Sequence, residues 1–220
     1  MLALVALLLA ADAGAPIDAA GDRIRLEKQR VAISASREAV AKKRAMARAA
    51  LRSYLEDSAF LSWAGTPWDF NGTSTTPGQG KIACGYFVTT VLEQAGVKVQ
   101  RIKLAQQASA NIVSTLARGS RVEWLRPADN AAAVAEIRTR FGEGLLVVGF
   151  DFHVGFLSLK GDSVQFCHSS YIQPATVTCE DPVASRAFAS NTYVVADVLN
   201  DGLLDDWLAG RSVATVLPKR

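Results

Sequence analysis

The chain has 220 residues, half of them apolar, and carries 24 basic and 21 acidic side chains. This length fits one domain with a full-sized hydrophobic core. The net charge of +3 is too small to indicate nucleic-acid binding, and no stretch reaches the roughly 18 to 20 apolar residues of a membrane span. We therefore predict neither a nucleic-acid partner nor a transmembrane segment.

The first segment of the chain is apolar from Met1 to Ala10 and continues with Ala11-Asp12-Ala13 and Gly14. An apolar stretch that ends in small residues is typical of a secretory signal peptide. We therefore predict a signal peptide over residues 1–13 and a periplasmic or secreted protein. The segment has no Lys or Arg after Met1, and a mis-assigned start codon or a disordered tail is the alternative interpretation.

Residues 22–58 have the composition of a basic helical extension. Between Arg23 and Arg52 there are ten basic and two acidic side chains. One apolar stripe recurs every seven positions, at Leu26, Ile33, Val40, Ala47 and Tyr54. A positive helix is a candidate for weak contact with an anionic surface, such as a cell-wall polymer or lipid headgroups. A solvated face packed along a single stripe explains the same pattern.

The rest of the chain, residues 59–220, reads as one domain that begins with helices. A loop with aromatic anchors covers Ser62 to Gly80 and is long enough to be functional. Ile82 to Gln94 has a helical pattern, which ends at the helix-stop residue Gly96. Two further Ala-rich helical patterns cover 104–117 and 128–141.

The periodicity changes from helix to strand at residue 145. The predicted strands are Leu145 to Phe150, His153 to Leu159, Ser163 to Ser169 and Thr192 to Val198, and a short helix follows at Leu203 to Leu208. Helices followed by an antiparallel sheet define an α+β fold, with helices packed on a central sheet.

Both histidines of the chain, His153 and His168, fall on the second and third predicted strands. A two-residue turn at Lys160-Gly161 pairs them directly, whereas a turn at Gly161-Asp162 pairs His168 with Gly155. In either register both imidazoles project from one face, because strand side chains alternate. Opposed Cβ atoms lie about 5 Å apart, so we predict that the two rings are within hydrogen-bonding reach. Cys167 then faces away.

Cys84 stands at the start of the helical run. Helix N-terminal amides and an adjacent imidazolium lower the pKa of a thiol, so we expect an activated Cys84 if this helix packs against the histidine face. Gly85 leaves room for a substrate backbone, and the Cys84 amide is a candidate oxyanion donor. The second donor stays open among Gln79, Trp68 and Tyr54. The predicted substrate-binding residues are Trp68, Gln79 and Gly85.

The other two cysteines, Cys167 and Cys179, are separated by eleven residues. In an exported protein they could form a disulfide worth about 3 kcal/mol and leave Cys84 as the odd thiol, and the geometry of the fold decides this. In a cytosolic protein they are simply small buried hydrophobes. Cys84 and the two histidines are suitable zinc ligands by type, but no short CxxC or HxxxH spacing is present. We therefore predict no metal and no cofactor.

At these residues the chain resembles the NlpC-type papain-like cysteine peptidases, which are bacterial cell-wall endopeptidases and amidases. The resemblance covers roughly 61–198, and the matching stretches are Trp63 to Trp68, Ala83 to Val88, His153 to Leu157 and Phe166 to Ser170. It implies a papain-like fold with Cys84 as nucleophile, His153 as general base and His168 as the residue that orients His153. The chain departs from the family pattern at Ala83, where Asp is usual, and at Gly85 and Tyr86, where Ser-Gly is usual.

The predicted function is an exported thiol hydrolase that cleaves amide or peptide bonds, in peptidoglycan stem peptides or related small peptides. Two alternatives remain open. One is a non-catalytic cell-wall-binding module on the same fold, which would use the aromatic loop and the basic helix. The other is a thioester-forming acyl or peptidyl transferase, in which an amine replaces water as the acceptor.

Overall fold

The computed structural model describes residues 18–217. Its architecture is α+β, as the sequence predicts: N-terminal helices precede a six-stranded antiparallel sheet with packed helices. The signal peptide predicted over 1–13 lies outside the described residues. No helix between residues 18 and 217 combines the length and apolar character that crossing a bilayer requires.

Most α-helices of the described chain agree with the predicted patterns. The pattern 104–117 instead covers the end of one helix and a second one, and the short helix Phe60–Trp63 extends into the segment predicted as an aromatic loop. The bounds of the α-helices are α1 Ala19–Ala35, α2 Val40–Tyr54, α3 Phe60–Trp63, α4 Cys84–Gln94, α5 Arg101–Ala105, α6 Ser109–Leu116, α7 Asn130–Phe141 and α8 Asp201–Ala209. A π-helical turn, Leu55–Ala59, joins α2 to α3. Side chains of Asp129 and Asn200 accept hydrogen bonds from first-turn amides and so fix the starts of α7 and α8.

The strands of the described chain are β1 Lys98–Val99, β2 Glu123–Leu125, β3 Gly144–Gly149, β4 Val154–Lys160, β5 Ser163–Ser169, β6 Val177–Glu180, β7 Tyr193–Asp197 and β8 Ser212–Val213. The central sheet has the order β2-β7-β3-β4-β5-β6, and β1 pairs with β8 separately. The sequence predicts β3, β4, β5 and β7, whereas the short edge strands β2 and β6 are found only in the structure.

Apolar side chains on the two faces of the central sheet form two clusters. Val147 and Phe156 point to one face, where α4 packs through Phe87. Leu146 and Leu157 point to the opposite face, which α7 covers. The strands between these layers are buried on both sides, so the sheet is the rigid frame of the molecule.

The basic helices α1 and α2 share the core of the sheet. Within their predicted apolar stripe, Val40 is 61 % exposed, and the other four members are buried. Several of the cations on these helices are ion paired: the guanidinium of Arg44 bonds to Asp201 and Asp205 of α8. The packed-stripe interpretation therefore agrees with the structure, and contact with an anionic surface stays a prediction.

Candidate active site

Cys84 is the first residue of α4, and Ala83 before it has extended backbone geometry. The neighbouring Gly85 is buried, and a Cβ atom there would lie 2.4 Å from the carbonyl oxygen of Ala105. A glycine is therefore required for the close packing of α5 on α4, independently of any substrate. The position of Cys84 is fixed by the helix start on one side and by this contact on the other.

The β4–β5 turn consists of Gly161 and Asp162, so the hairpin has the second of the two predicted registers. Continuing that register places His168 opposite Gly155, and His153 lies immediately before β4 on the same face. The Nε2 atom of His153 and the Nδ1 atom of His168 are 2.7 Å apart. The prediction that both imidazoles share one face within hydrogen-bonding reach is confirmed.

Gly155 provides the space in which the two rings meet. A Cβ atom at this position would lie 2.8 Å from the Cβ of His168 and 2.6 Å from Cε2 of Phe166. Real Cβ atoms do not approach other carbon atoms so closely, so any larger residue at 155 would push the His168 strand outward.

A fourth residue, Glu180, belongs to this group and is missed by the sequence analysis. Cys167 and Cys179 form the disulfide that the sequence left open, and they are directly opposed on β5 and β6. This pairing brings Glu180 to the histidine face, where its Oε1 atom lies 3.1 Å from Nε2 of His168. The hydroxyl of Ser185 donates a hydrogen bond to the same oxygen.

The carboxylate of Glu180 determines the protonation of both rings. An ionised carboxylate only accepts, so Nε2 of His168 carries the proton that it shares with Glu180. In a neutral ring Nδ1 of His168 then has a lone pair, which accepts from Nε2–H of His153. The proton of neutral His153 is therefore on Nε2, and its Nδ1 is a base. Within residues 18–217 this Nδ1 atom is buried and has no hydrogen-bond partner.

Both rings are neutral at rest because they are removed from water. Burial lowers the pKa of His168 to about 3. It lowers the pKa of His153 well below 6.5, and the neighbouring His168 lowers it further. The Glu180 carboxylate opposes the shift at His168, since a protonated ring would form an ion pair with it.

The Cys84 thiol differs from the expectation in two respects. First, α4 packs on the sheet face opposite the imidazoles, so Cys84 approaches His153 only near the start of β4, where both residues line one cavity with Val154. Second, burial raises the pKa of Cys84 and outweighs the opposing effect of three backbone amides, those of Gly85, Val154 and Cys84 itself. The resting site therefore holds a neutral thiol beside a neutral imidazole.

A cavity of about 800 Å³ contains both Cys84 and His153. Trp68 and Gly85 line it, as expected of substrate-binding residues. Gln79 lies instead in a neighbouring polar hollow formed by loop 69–81, and Tyr54 is buried beside the N-terminal helices. Of the three candidates for a second oxyanion donor, the structure brings Trp68 to the cavity of Cys84.

No model of a known protein family, no curated protein and no solved structure matches this chain. The resemblance to the NlpC-type peptidases therefore stays a prediction. The chemical argument rests on the geometry of Cys84, the two histidines and Glu180.

Proposed function

We propose that this protein is a thiol hydrolase that cleaves amide or peptide bonds, on a papain-like fold of the NlpC type. The observation that carries the proposal is the series of hydrogen bonds from His153 to His168 and from His168 to Glu180. It leaves the Nδ1 atom of His153 buried and without a hydrogen-bond partner in the described chain. The cavity that His153 lines also contains Cys84, the free cysteine of the chain. A nucleophile, a base and an orienting group are the parts that covalent acyl transfer needs.

In the proposed reaction the sulfur of Cys84 attacks the amide carbonyl carbon, and Nδ1 of His153 takes the thiol proton as the C–S bond forms. Both groups are neutral at rest, so proton transfer accompanies attack. The same proton then passes to the leaving nitrogen as the C–N bond breaks, which leaves a thioester. Water, deprotonated by His153, releases the acid and restores the thiol. Hydrogen bonds of this kind tighten when substrate binds, so the missing Cys84–His153 bond is compatible with the scheme.

The second histidine and Glu180 have separate roles in this scheme. An imidazolium in a buried site is costly unless its charge is compensated. When His153 holds a proton on both nitrogens, Nε2–H still donates to His168, and Glu180 polarises His168 from its far side. Glu180 is thus a positioning residue that keeps His153 in the basic tautomer and stabilises its charged form.

The oxyanion of the tetrahedral intermediate needs donors near the sulfur. The first backbone amides of a helix have no intrahelical acceptor, so the Cys84 amide is one donor. Trp68, whose indole N–H is a donor only, is our choice for the second, because it lines the cavity.

The proposal is tested by comparing the wild type with Cys84→Ala on peptidoglycan stem peptides and on short peptide amides. We expect turnover by the wild type and a loss of at least about a thousandfold in the variant, with an unchanged melting temperature. Turnover that survives in Cys84→Ala would overturn the proposal. Wall-fragment binding without hydrolysis in both proteins would identify the binding-module alternative. Amide products in the presence of an added amine would identify the transferase.

A further inference from the structure

The mouth of the cavity is lined by exposed aromatic rings. Phe152 is 94 % exposed and Phe70 is 79 % exposed, and both belong to the cavity wall. On the same wall, Tyr171 packs edge-on against the ring of His153 with 5.2 Å between ring centroids, and the ring of Trp68 lies 6.3 Å from that of Tyr171. Large apolar rings left in water at a cavity mouth mark a surface that an apolar ligand group covers.

The cavity wall has a one-sided charge. Asp151 is the one acidic side chain of the wall, Cys84 and His153 are neutral at rest, and no Lys or Arg of residues 18–217 lines the wall. Two cations beyond the wall are already engaged. Lys81 pairs with the carboxylate of Asp69 at 3.1 Å, and Arg101 donates to the Thr73 carbonyl at 2.7 Å and to Thr90 at 2.8 Å.

The carboxylate of Asp151 is held in a fixed orientation two residues before His153. Its Oδ2 atom accepts from the Ser190 hydroxyl at 3.0 Å and from the Asn191 amide at 3.1 Å. Within the described chain Oδ1 makes no hydrogen bond and is available to a ligand. A pre-oriented carboxylate loses little conformational freedom when it binds a cation, which favours recognition.

We propose that the cavity selects amide substrates whose groups next to the scissile bond are apolar or aromatic and neutral or cationic, with Asp151 as the acceptor for an ammonium group. Peptides that carry a carboxylate next to the scissile bond are excluded. This inference rests on the proposed thiol hydrolase function and adds its substrate class.

The charge of Asp151 explains why substrate carboxylates are excluded, and the aromatic rings add to the preference for ammonium groups. A substrate carboxylate in the cavity is repelled by Asp151 and finds no free cation in the described wall to neutralise it. An ammonium group is attracted by Asp151 and also by the faces of the neighbouring aromatic rings. A stem peptide with a free carboxylate beside the scissile bond is thus a poor substrate, and its amidated form is a better one.

The experiment measures how fast four alkylating reagents modify Cys84, and therefore needs no knowledge of the natural substrate. They are iodoacetate (anionic), iodoacetamide (neutral), 2-bromoethylammonium (cationic) and N-benzyl iodoacetamide (aromatic). In each case the sulfur displaces the halide, forms a C–S bond and loses its proton to His153 or solvent. Without reductant the disulfide protects the other two cysteines, so mass spectrometry reports Cys84 alone. Each rate is divided by that of 2-mercaptoethanol with the same reagent.

We expect iodoacetate to be disfavoured about fivefold relative to iodoacetamide, and the cationic and aromatic reagents to be favoured, as for charges several ångströms apart at a protein surface. Asp151→Asn should remove most of the discrimination between the charged reagents. Asp162→Asn, which makes the same charge change in the exposed β4–β5 turn, should leave it intact. Equal normalised rates for iodoacetate and iodoacetamide, or equal effects of the two Asn variants, would overturn the inference. Failure of all four reagents to modify Cys84 would overturn the proposed function and this inference with it.

Discussion

Two regions of the molecule bring charged or titratable side chains together, and they differ in burial rather than in number. The first is the hydrogen-bonded relay of Glu180, His168 and His153, in which His153 is 3 % exposed and His168 is fully buried. Between α2 and α8, Arg44 forms ion pairs with Asp201 and Asp205 whose side chains are partly exposed. In the first region the two rings are shielded from water, so hydrogen-bond direction fixes a proton on a particular nitrogen of each ring, although the Glu180 side chain that bonds to His168 is 38 % exposed. In the second region solvent screens the same kind of contact.

Among changes in these two regions, the largest effect is expected from Glu180→Gln. The neutral amide can either donate to His168 or accept from it, so it no longer fixes the tautomer of the two rings. We expect kcat to fall by about 100-fold with little change in melting temperature, as for other residues that orient a catalytic imidazole.

The tautomers themselves are accessible by ¹⁵N NMR of the two histidine side chains, a readout that does not depend on activity. In the wild type both rings should be neutral with the proton on Nε2, and Glu180→Gln should give mixed tautomers. The matched control is Glu143→Gln, where the carboxylate accepts from the Gly161 amide outside the relay. Wild-type spectra with the proton on Nδ1 of His153 would contradict the derived protonation.

Gly155→Ala should be the most destabilising single change in the relay. The new methyl group would overlap the Cβ of His168 and the ring of Phe166, and overpacking of this kind costs about 1–3 kcal/mol of unfolding free energy. Urea denaturation measures the loss. Gly144→Ala is the matched control on β3, because its nearest neighbour atom is 3.8 Å away. Similar unfolding free energies for the two variants would show that β5 can shift to accommodate the methyl group without loss of stability.

These residues also show how far sequence reasoning reaches. The spacing of His153 and His168 around a short turn is sufficient to predict one face, since side-chain alternation is a local property. The position of Cys84 at a helix start is also predicted, because the helical pattern that follows it is a local property of the sequence. Glu180 is different, because its position depends on a four-residue edge strand and on the pairing of Cys167 with Cys179.

Burial and helix placement were equally inaccessible from local patterns. The sequence gives the amides that lower the pKa of Cys84, but the desolvation that raises it depends on how loop, helix and sheet close around the thiol. The activation of Cys84 is expected on the condition that α4 packs against the histidine face. The structure does not meet this condition, because a helical pattern does not specify which face of a sheet its apolar stripe will cover. Gln79 falls on the predicted loop but in another hollow, since loop geometry is not encoded in periodicity.

Acid should destabilise the fold through the relay. Both histidines have folded-state pKa values below 6.5, so the unfolded chain binds more protons as the pH falls through that value. Their contribution to stability is complete above the unfolded pKa and is lost as pH decreases. Between pH 7 and pH 5.5 we expect a loss of about 1 kcal/mol for each buried histidine. Urea denaturation at the two pH values measures it, and His168→Gln should reduce the difference. Stability that rises toward pH 5.5 would indicate charged rings.

The smallest effect is expected at the ion pairs between α2 and α8. Arg44 contacts the carboxylates of Asp201 and Asp205 at 2.8 Å and 2.5 Å, but all three groups retain solvent contact, so the attraction is screened and partly offset by lost side-chain entropy. Arg44→Gln should therefore lower the melting temperature by no more than about 2 °C, and 0.5 M salt should reduce that difference. Arg37→Gln, an exposed cation with no ion pair in the described chain, is the control. A drop well beyond this range would mean that α2 is held on α8 by charge rather than by the buried stripe, and the distinction between the two regions would no longer hold.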